Sequence, residues 1–168
     1  SEHNVDTVFD AAIEKVDDYT IRGYRLTNGW APEQHVYFYT TFSSPVKDCL
    51  LFLDNERVEG VSALEGRNVK AVLSFENGGK ELDIKTGISA VGMDGARNNL
   101  LAEMSDKDFD QLRKEAASEW TSILGQIEIE TKDPEKRELF YTSLHNVMMY
   151  PMLYSDVDNR FRGPDSQV

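Results

Sequence analysis

Cysteine, basic charge and long apolar runs are what this chain has least of. A single cysteine, Cys49, among 168 residues leaves no internal disulfide to staple the fold. It sits in the run Cys49-Leu-Leu-Phe-Leu53 and reads as a small buried hydrophobe. Eighteen Lys and Arg against 30 Asp and Glu give a net charge of -12, a field that repels a nucleic-acid backbone or an anionic membrane. No apolar run approaches the roughly 18 residues that cross a bilayer. The start, Ser1-Glu-His-Asn, lacks the basic-then-apolar pattern of a signal peptide, so any such peptide is expected upstream or already removed. The sequence thus gives no nucleic acid and no membrane as partners.

Catalytic and metal signatures are equally scarce. His3, His35 and His145 are scattered, and no His-Glu-x-x-His or Cys-x-x-Cys spacing is there to hold a transition metal. Gly78-Gly79 is a turn signal and not a phosphate loop, because no Lys-Ser/Thr step or helix follows it. What remains is an ordinary globular composition, 40% hydrophobic and 10% aromatic. A chain of this length can bury about two-thirds of its unfolded surface.

The first hundred residues alternate with period two, the signature of strands. Val36, Phe38, Thr40 and Phe42 share one face, with His35, Tyr37, Tyr39 and Thr41 on the other. Aromatics on both faces imply cover on both sides. Val69, Ala71, Leu73 and Phe75 form a second run, and Leu82, Ile84, Thr86, Ile88 and Ala90 a third. Between them Asn77-Gly78-Gly79 tolerates the positive φ of tight turns, so residues 67–91 are expected to form a β-hairpin. Residues 19–26 and 48–53 are further strands, the second ending in a turn at Asp54-Asn55.

The period changes near Gly92. Ala96, Leu100 and Leu101 fit a short helix, and residues 106–124 a longer one, with Ser105 as its N-cap and Gly125 as its stop. Residues 126–130 alternate as one short strand. Asp133-Pro134 then supplies a cap and a first-turn proline for a helix toward Tyr150. The expected fold class is α+β: an antiparallel β-sandwich portion followed by two to three helices.

Residues with binding chemistry cluster at two places. Trp30, in Thr27-Asn-Gly-Trp-Ala-Pro32, can stack on a sugar ring or cap the sheet core. Asp156, Asp158 and Arg160 lie in Ser155-Asp-Val-Asp-Asn-Arg-Phe-Arg-Gly163. As an EF-hand loop this run fails, with Arg160 at a ligand position and Phe161 where the glycine belongs. On an extended segment the two carboxylates point to one side about 7 Å apart. Arg160 and Arg162 are near enough in sequence to pair with them. His145 reads as a half-buried helix histidine bonded locally, and Trp120 as core.

Several phrases together resemble one family. Arg22-Gly-Tyr-Arg25, Gly29-Trp-Ala31, Val36-Tyr-Phe38, Lys85-Thr-Gly-Ile-Ser-Ala-Val91, Ala96-Arg-Asn-Asn-Leu100, Phe140-Tyr-Thr-Ser-Leu-His145 and the run 155–163 look like family 92 glycoside hydrolases, the exo-acting α-mannosidases. The sequence departs from the pattern at Asn159, where the family has glycine, and at Phe161, where it has tyrosine. Asn tolerates left-handed backbone, so the turn is expected to survive. The lost phenol removes any polar role at that ring.

The resemblance implies a much longer parent enzyme of which this is an internal piece. Residues 1–92 are expected to belong to a galactose-mutarotase-like supersandwich, 93–132 to linker helices and a short strand, and 133–168 to the first helix and loop of an (α/α) toroid. It implies release of terminal α-mannose, with N-glycan degradation as the setting, by an inverting, calcium-assisted reaction in the periplasm or outside the cell. Acid, base and calcium ligands would lie beyond this chain, so no residue here is expected to be catalytic or to hold metal. The chain alone is expected to be inactive. Substrate contacts are expected from Trp30, Asp156, Asp158 and Arg160. Self-association is expected through Met148, Met149, Met152 and Tyr154. The alternative is a free-standing carbohydrate-binding sandwich that stacks sugars on exposed Trp30, Tyr37 and Tyr39.

Overall fold

The computed structural model describes residues 7–29, 31–76, 78–150 and 152–168. Eight strands come first, then three helices. The strands are β1 (Thr7–Asp17), β2 (Thr20–Asn28), β3 (Gln34–Phe42), β4 (Val46–Leu53), β5 (Glu56–Val58), β6 (Ala63–Gly66), β7 (Val69–Phe75) and β8 (Ile84–Ser89). The helices are α1 (Met93–Met104), α2 (Phe109–Leu124) and α3 (Pro134–Met148). The expected α+β class, antiparallel sheets followed by helices, is what the chain adopts.

Two antiparallel sheets form, one in the order β6-β1-β2-β3-β8 and one in the order β5-β4-β7. The β4–β5 turn falls where Asp54-Asn55 places it, and both residues have positive φ, 50° and 71°, the demand of a two-residue hairpin loop that follows the strand twist. The expected hairpin over 67–91 does not form. β7 pairs with β4, whereas β8 pairs with β3 in the other sheet. Alternation marks an extended segment but not its partner. Gly78 and Gly79 do take positive φ, 63° and 76°, yet the connection carries the chain from one sheet to the other.

Cover on both faces of β3 is real. On one face the ring of Phe42 meets that of Phe75 edge-on, centroids 5.0 Å apart, and Phe42, Val46 and Leu51 are buried. On the other, α1 packs over β8 and β3 and buries Ala96 and Leu100. That helix sits very close. A Cβ added at Gly87 would collide with the carbonyl of Ala96 and crowd Leu100, so only a glycine lets the backbones approach. Lys85, two residues earlier, donates from Nζ to the carbonyl of Met104 at 2.8 Å, placing a cation at the negative end of the helix. The apolar face of β8 lies opposite. Ile84 and Ile88 remain 57% and 64% exposed, because the small residues Gly87 and Ser89, and not the isoleucines, meet α1.

The chain divides into two compact units, residues up to Ser105 together with Ser155–Val168, and Asp106–Tyr154. In the second unit α2 starts later than Ser105. Ser105 has helical dihedrals as the C-cap of α1, and the extended Asp108 caps α2 in a reciprocal box with Gln111. Residues 126–130 form no strand; their alternation finds no ladder. Instead the Ile127 carbonyl accepts from Tyr141 Oη at 3.2 Å. Asp133 caps α3 as expected, accepting from the amides of Glu135 and Lys136. His145 lies against the half-buried Trp120, ring centroids 4.1 Å apart and tilted by 41°, and among the described residues its ring has this contact in place of a local hydrogen bond. Neither α2 nor α3 buries a residue fully.

Tyr24 gives the sheet a measurable alkaline limit. Burial, then the hydrogen bond to Asp10 at 2.9 Å, pushes its phenol up to about 12 from an ordinary value of 10. The folded state holds this proton more tightly than the unfolded one, so the contribution is complete below pH 10 and is lost as pH rises toward 12. We expect an ultraviolet titration to show one late tyrosinate, absent in Tyr24→Phe and earlier in Asp10→Ala. A wild-type curve without that late step refutes the assignment.

Candidate functional site

The run Ser155–Gly163 returns to the first unit and is tied to the corner between β8 and α1. Asp156 is the anchor, only 6% exposed. Its Oδ2 accepts from Ser89 Oγ at 2.6 Å, and its Oδ1 accepts from Asn99 Nδ2 at 2.8 Å. Asn99 also donates to the Ile88 carbonyl, and its Oδ1 accepts from the Val157 amide at 2.9 Å. Ser89 Oγ in turn accepts from the amide of Val91 at 2.8 Å. A Cβ at Gly95 would strike both Asp156 Oδ2 and Ser89 Oγ. The carboxylate is thus held by short neutral donors against a position where only glycine fits, which is how a buried charge is retained at tolerable cost.

The backbone beyond it makes a turn and not the expected extended segment. The Asn159 amide donates to the Asp156 carbonyl, and the Asp156 amide to the Arg160 carbonyl, each at 2.9 Å. Asn159 stands at φ 65°, so asparagine does keep the left-handed turn. Asp158 Oδ1 accepts from the Arg160 amide at 3.1 Å. The two aspartates therefore diverge: Asp156 is buried, while Asp158 and Arg160 are exposed. The anticipated arginine–carboxylate pairing also fails. Arg162 donates instead to the carbonyls of Ala90 at 2.8 Å, Ser166 at 2.6 Å and Val91 at 3.2 Å, and Arg160 has no carboxylate partner among the described residues.

Trp30 lies outside the described residues, while Glu33 reaches this tail at Ser166. Hydrogen bonds from His35, then Ser166, hold the Glu33 carboxyl below the usual carboxylate range, with the Arg162 charge adding to the effect. His35 Nε2 is 3.0 Å from Glu33 Oε2. Tyr37 and Tyr39, expected as exposed stacking residues, are half-buried on the sheet face that α1 covers. Tyr37 is engaged with His35 Nδ1 at 3.4 Å and with the ring of Tyr24, centroids 5.9 Å apart. Cys49 is half-buried, and burial raises its thiol pKa. Among the described residues no three His, Cys, Asp or Glu groups could hold a metal ion, and no helix is long and apolar enough to cross a membrane.

Ser89 and Asn99 were not singled out by residue chemistry, and Arg162 only as a carboxylate partner, not as the carbonyl clamp it is. Their one sequence signal is that each falls within a phrase of the family pattern, and contacts across 57 to 72 positions leave no local trace. The network makes Asp156→Ala expensive: buried Ser89 and half-buried Asn99 lose an acceptor, at about 3 kcal/mol. Asp158→Ala, at an exposed turn, should cost about 0.5 kcal/mol. Urea denaturation of both variants checks the contrast, and equal losses would refute it.

Residues 1–89 match the Glycosyl hydrolase family 92 N-terminal domain, and residues 95–168 the Glycosyl hydrolase family 92 catalytic domain. Among solved structures the chain is similar to the family GH92 alpha-mannosidase BT3965 from Bacteroides thetaiotaomicron, with 35% identity and a TM-score of 0.90 over 96% of this chain. That enzyme has also been solved in complex with mannoimidazole. The inverting mannosidase BT2199 from the same species shares the fold at 23% identity and a TM-score of 0.81, covering 96% of this chain and 22% of its own. This chain spans 23% of the first of these structures, just under a quarter. A comparison with curated proteins gave no match. With both parts of the pattern matched in order, the chain belongs to glycosyl hydrolase family 92.

Proposed function

We propose that this chain is part of a glycoside hydrolase that removes terminal α-linked mannose from glycans. The observation that carries the reading is the turn at Val157–Arg160, exposed and charged yet tied through Asn99 to the buried Asp156 within a chain of family 92. In this reading Trp30 supplies a stacking face, Asp158 accepts hydrogen bonds from sugar hydroxyls and Arg160 donates to ring or hydroxyl oxygens. Asp156 acts through its hold on the turn. The reaction is inverting: one carboxylic acid protonates the leaving oxygen while a carboxylate opposite activates water. Those two groups belong to the longer protein, and so does calcium. Asp156 and Asp158 do not fit that ion, since one is buried with both oxygens engaged and the other points outward. The enzyme works on N-glycans in the periplasm or outside the cell, and this piece is scaffold and domain junction.

The test is an assay of the full-length protein on α-mannosides, with NMR of the first-formed sugar. Free β-mannose should appear first, activity should vanish with a calcium chelator, and added calcium should restore it. No release of mannose, or α-mannose as the first product, would sink the reading.

Met148, Met149, Met152 and Tyr154 are exposed by 40%, 44%, 67% and 63%, a flexible apolar surface of the kind that docks partners. In isolation this chain self-associates through it, with a second copy standing in for the rest of the enzyme. Sedimentation should show species larger than a monomer at micromolar concentration, and a strictly monomeric profile refutes this.

A further inference from the structure

We propose that Ser89, Asn99 and Asp156 are positioning residues that fix the Val157–Arg160 turn in one geometry, so that Asp158 and Arg160 meet the vicinal hydroxyls of a hexopyranoside preformed. This rests on the reading of the chain as part of a mannosidase. Three segments converge on the carboxylate of Asp156: the end of β8 through Ser89, the middle of α1 through Asn99, and the returning tail itself. Both carboxylate oxygens are engaged and the residue is 6% exposed, so Asp156 has nothing to offer a sugar directly. Its bonds hold the base of the turn, and Asn99 reaches one residue further to take the Val157 amide.

A second clamp lies just past the turn. Arg162 spreads over the carbonyls of Ala90, Val91 and Ser166, so the turn is fastened before and after its exposed tip. Inside that tip, Asp158 Oδ1 takes the Arg160 amide and Asn159 sits in left-handed backbone. The turn's shape is over-determined, while its two charged side chains are exposed. A carboxylate held by the Arg160 amide and a guanidinium carried on the same fixed backbone two residues on offer acceptor and donor to adjacent hydroxyls, and fixing the backbone beforehand removes part of the ordering cost from binding.

The test uses the full-length protein and three readouts: amide exchange at residues 157–160, thermal midpoint, and kcat and KM on an α-mannoside. Asn99→Ala should raise exchange at Val157 and Arg160 and lower kcat/KM on the order of tenfold to a hundredfold. Asp158→Ala should lower kcat/KM with exchange at Val157 intact, separating the sugar contact from the latch. Asn99→Asp sets two carboxylates face to face, and adding Asp156→Asn restores a donor–acceptor pair, so the double variant should recover part of both exchange protection and kcat/KM. A lower midpoint with unchanged kcat/KM in the folded fraction marks a merely structural network and overturns the proposal. Unchanged exchange in Asn99→Ala overturns it too. A wild-type protein that releases no mannose refutes the functional reading, and the sugar-facing role falls with it. The exchange data then report the latch separately.

Discussion

One buried carboxylate organises the first unit of this protein. Asp156 brings a negative charge into the space that Gly95 leaves open, and it is retained because neutral donors meet both of its oxygens. Removing the charge would strand Ser89 and Asn99; removing either donor would leave the charge underpaid by hydrogen bonds. Each partner is therefore specified by the others, and through them the tail that follows α3 is drawn back to the sheet and helix that precede α2. Sequence order and spatial order part company here.

The corner exists because α1 sits low on the sheet. Gly87 removes the side chain that would lift the helix, and Lys85 satisfies carbonyls at its far end. Buried Ala96 and Leu100 then seat the helix against β3 and β8. Asn99 lies between them in sequence and faces the tail in place of the sheet core. Gly95, at the start of the helix, leaves the volume that Asp156 and Ser89 fill. Packing and polar satisfaction thus depend on the same few residues, which is the sense in which cores specify one arrangement.

The second unit is built differently. Its helices are well capped by Asp108 and Asp133, but their apolar stripes bury no residue fully, and Leu139 and Val147 stand 67% and 71% exposed. Helices of this length gain most of their stability from packing an amphipathic face, and caps alone contribute about 1 kcal/mol each. The contact between Trp120 and His145 and the bond from Tyr141 to Ile127 join what packing there is.

Strands β2, β3, β4, β7 and β8, the Asp54-Asn55 turn, the α3 cap and the tolerance of Asn159 for a left-handed turn were legible in the sequence, because each depends on residues within a few positions of one another, whereas β1, β5 and β6 were not read from it. The family pattern was legible for a different reason: its phrases survive in order along the chain. What the sequence by itself could not determine was partnership. Alternation placed β7 and β8 correctly as extended segments and wrongly as neighbours, and proximity along the chain paired the aspartates with two arginines, of which Arg162 instead binds carbonyls. Only the tertiary structure decided that Asp156 faces inward while Asp158 faces out, and that Ser89 and Asn99 are its partners. The physical reason is separation: a hydrogen bond between residues 57 or 67 positions apart imposes no local period or spacing, and arises only when the sheet, the helix and the returning tail have met.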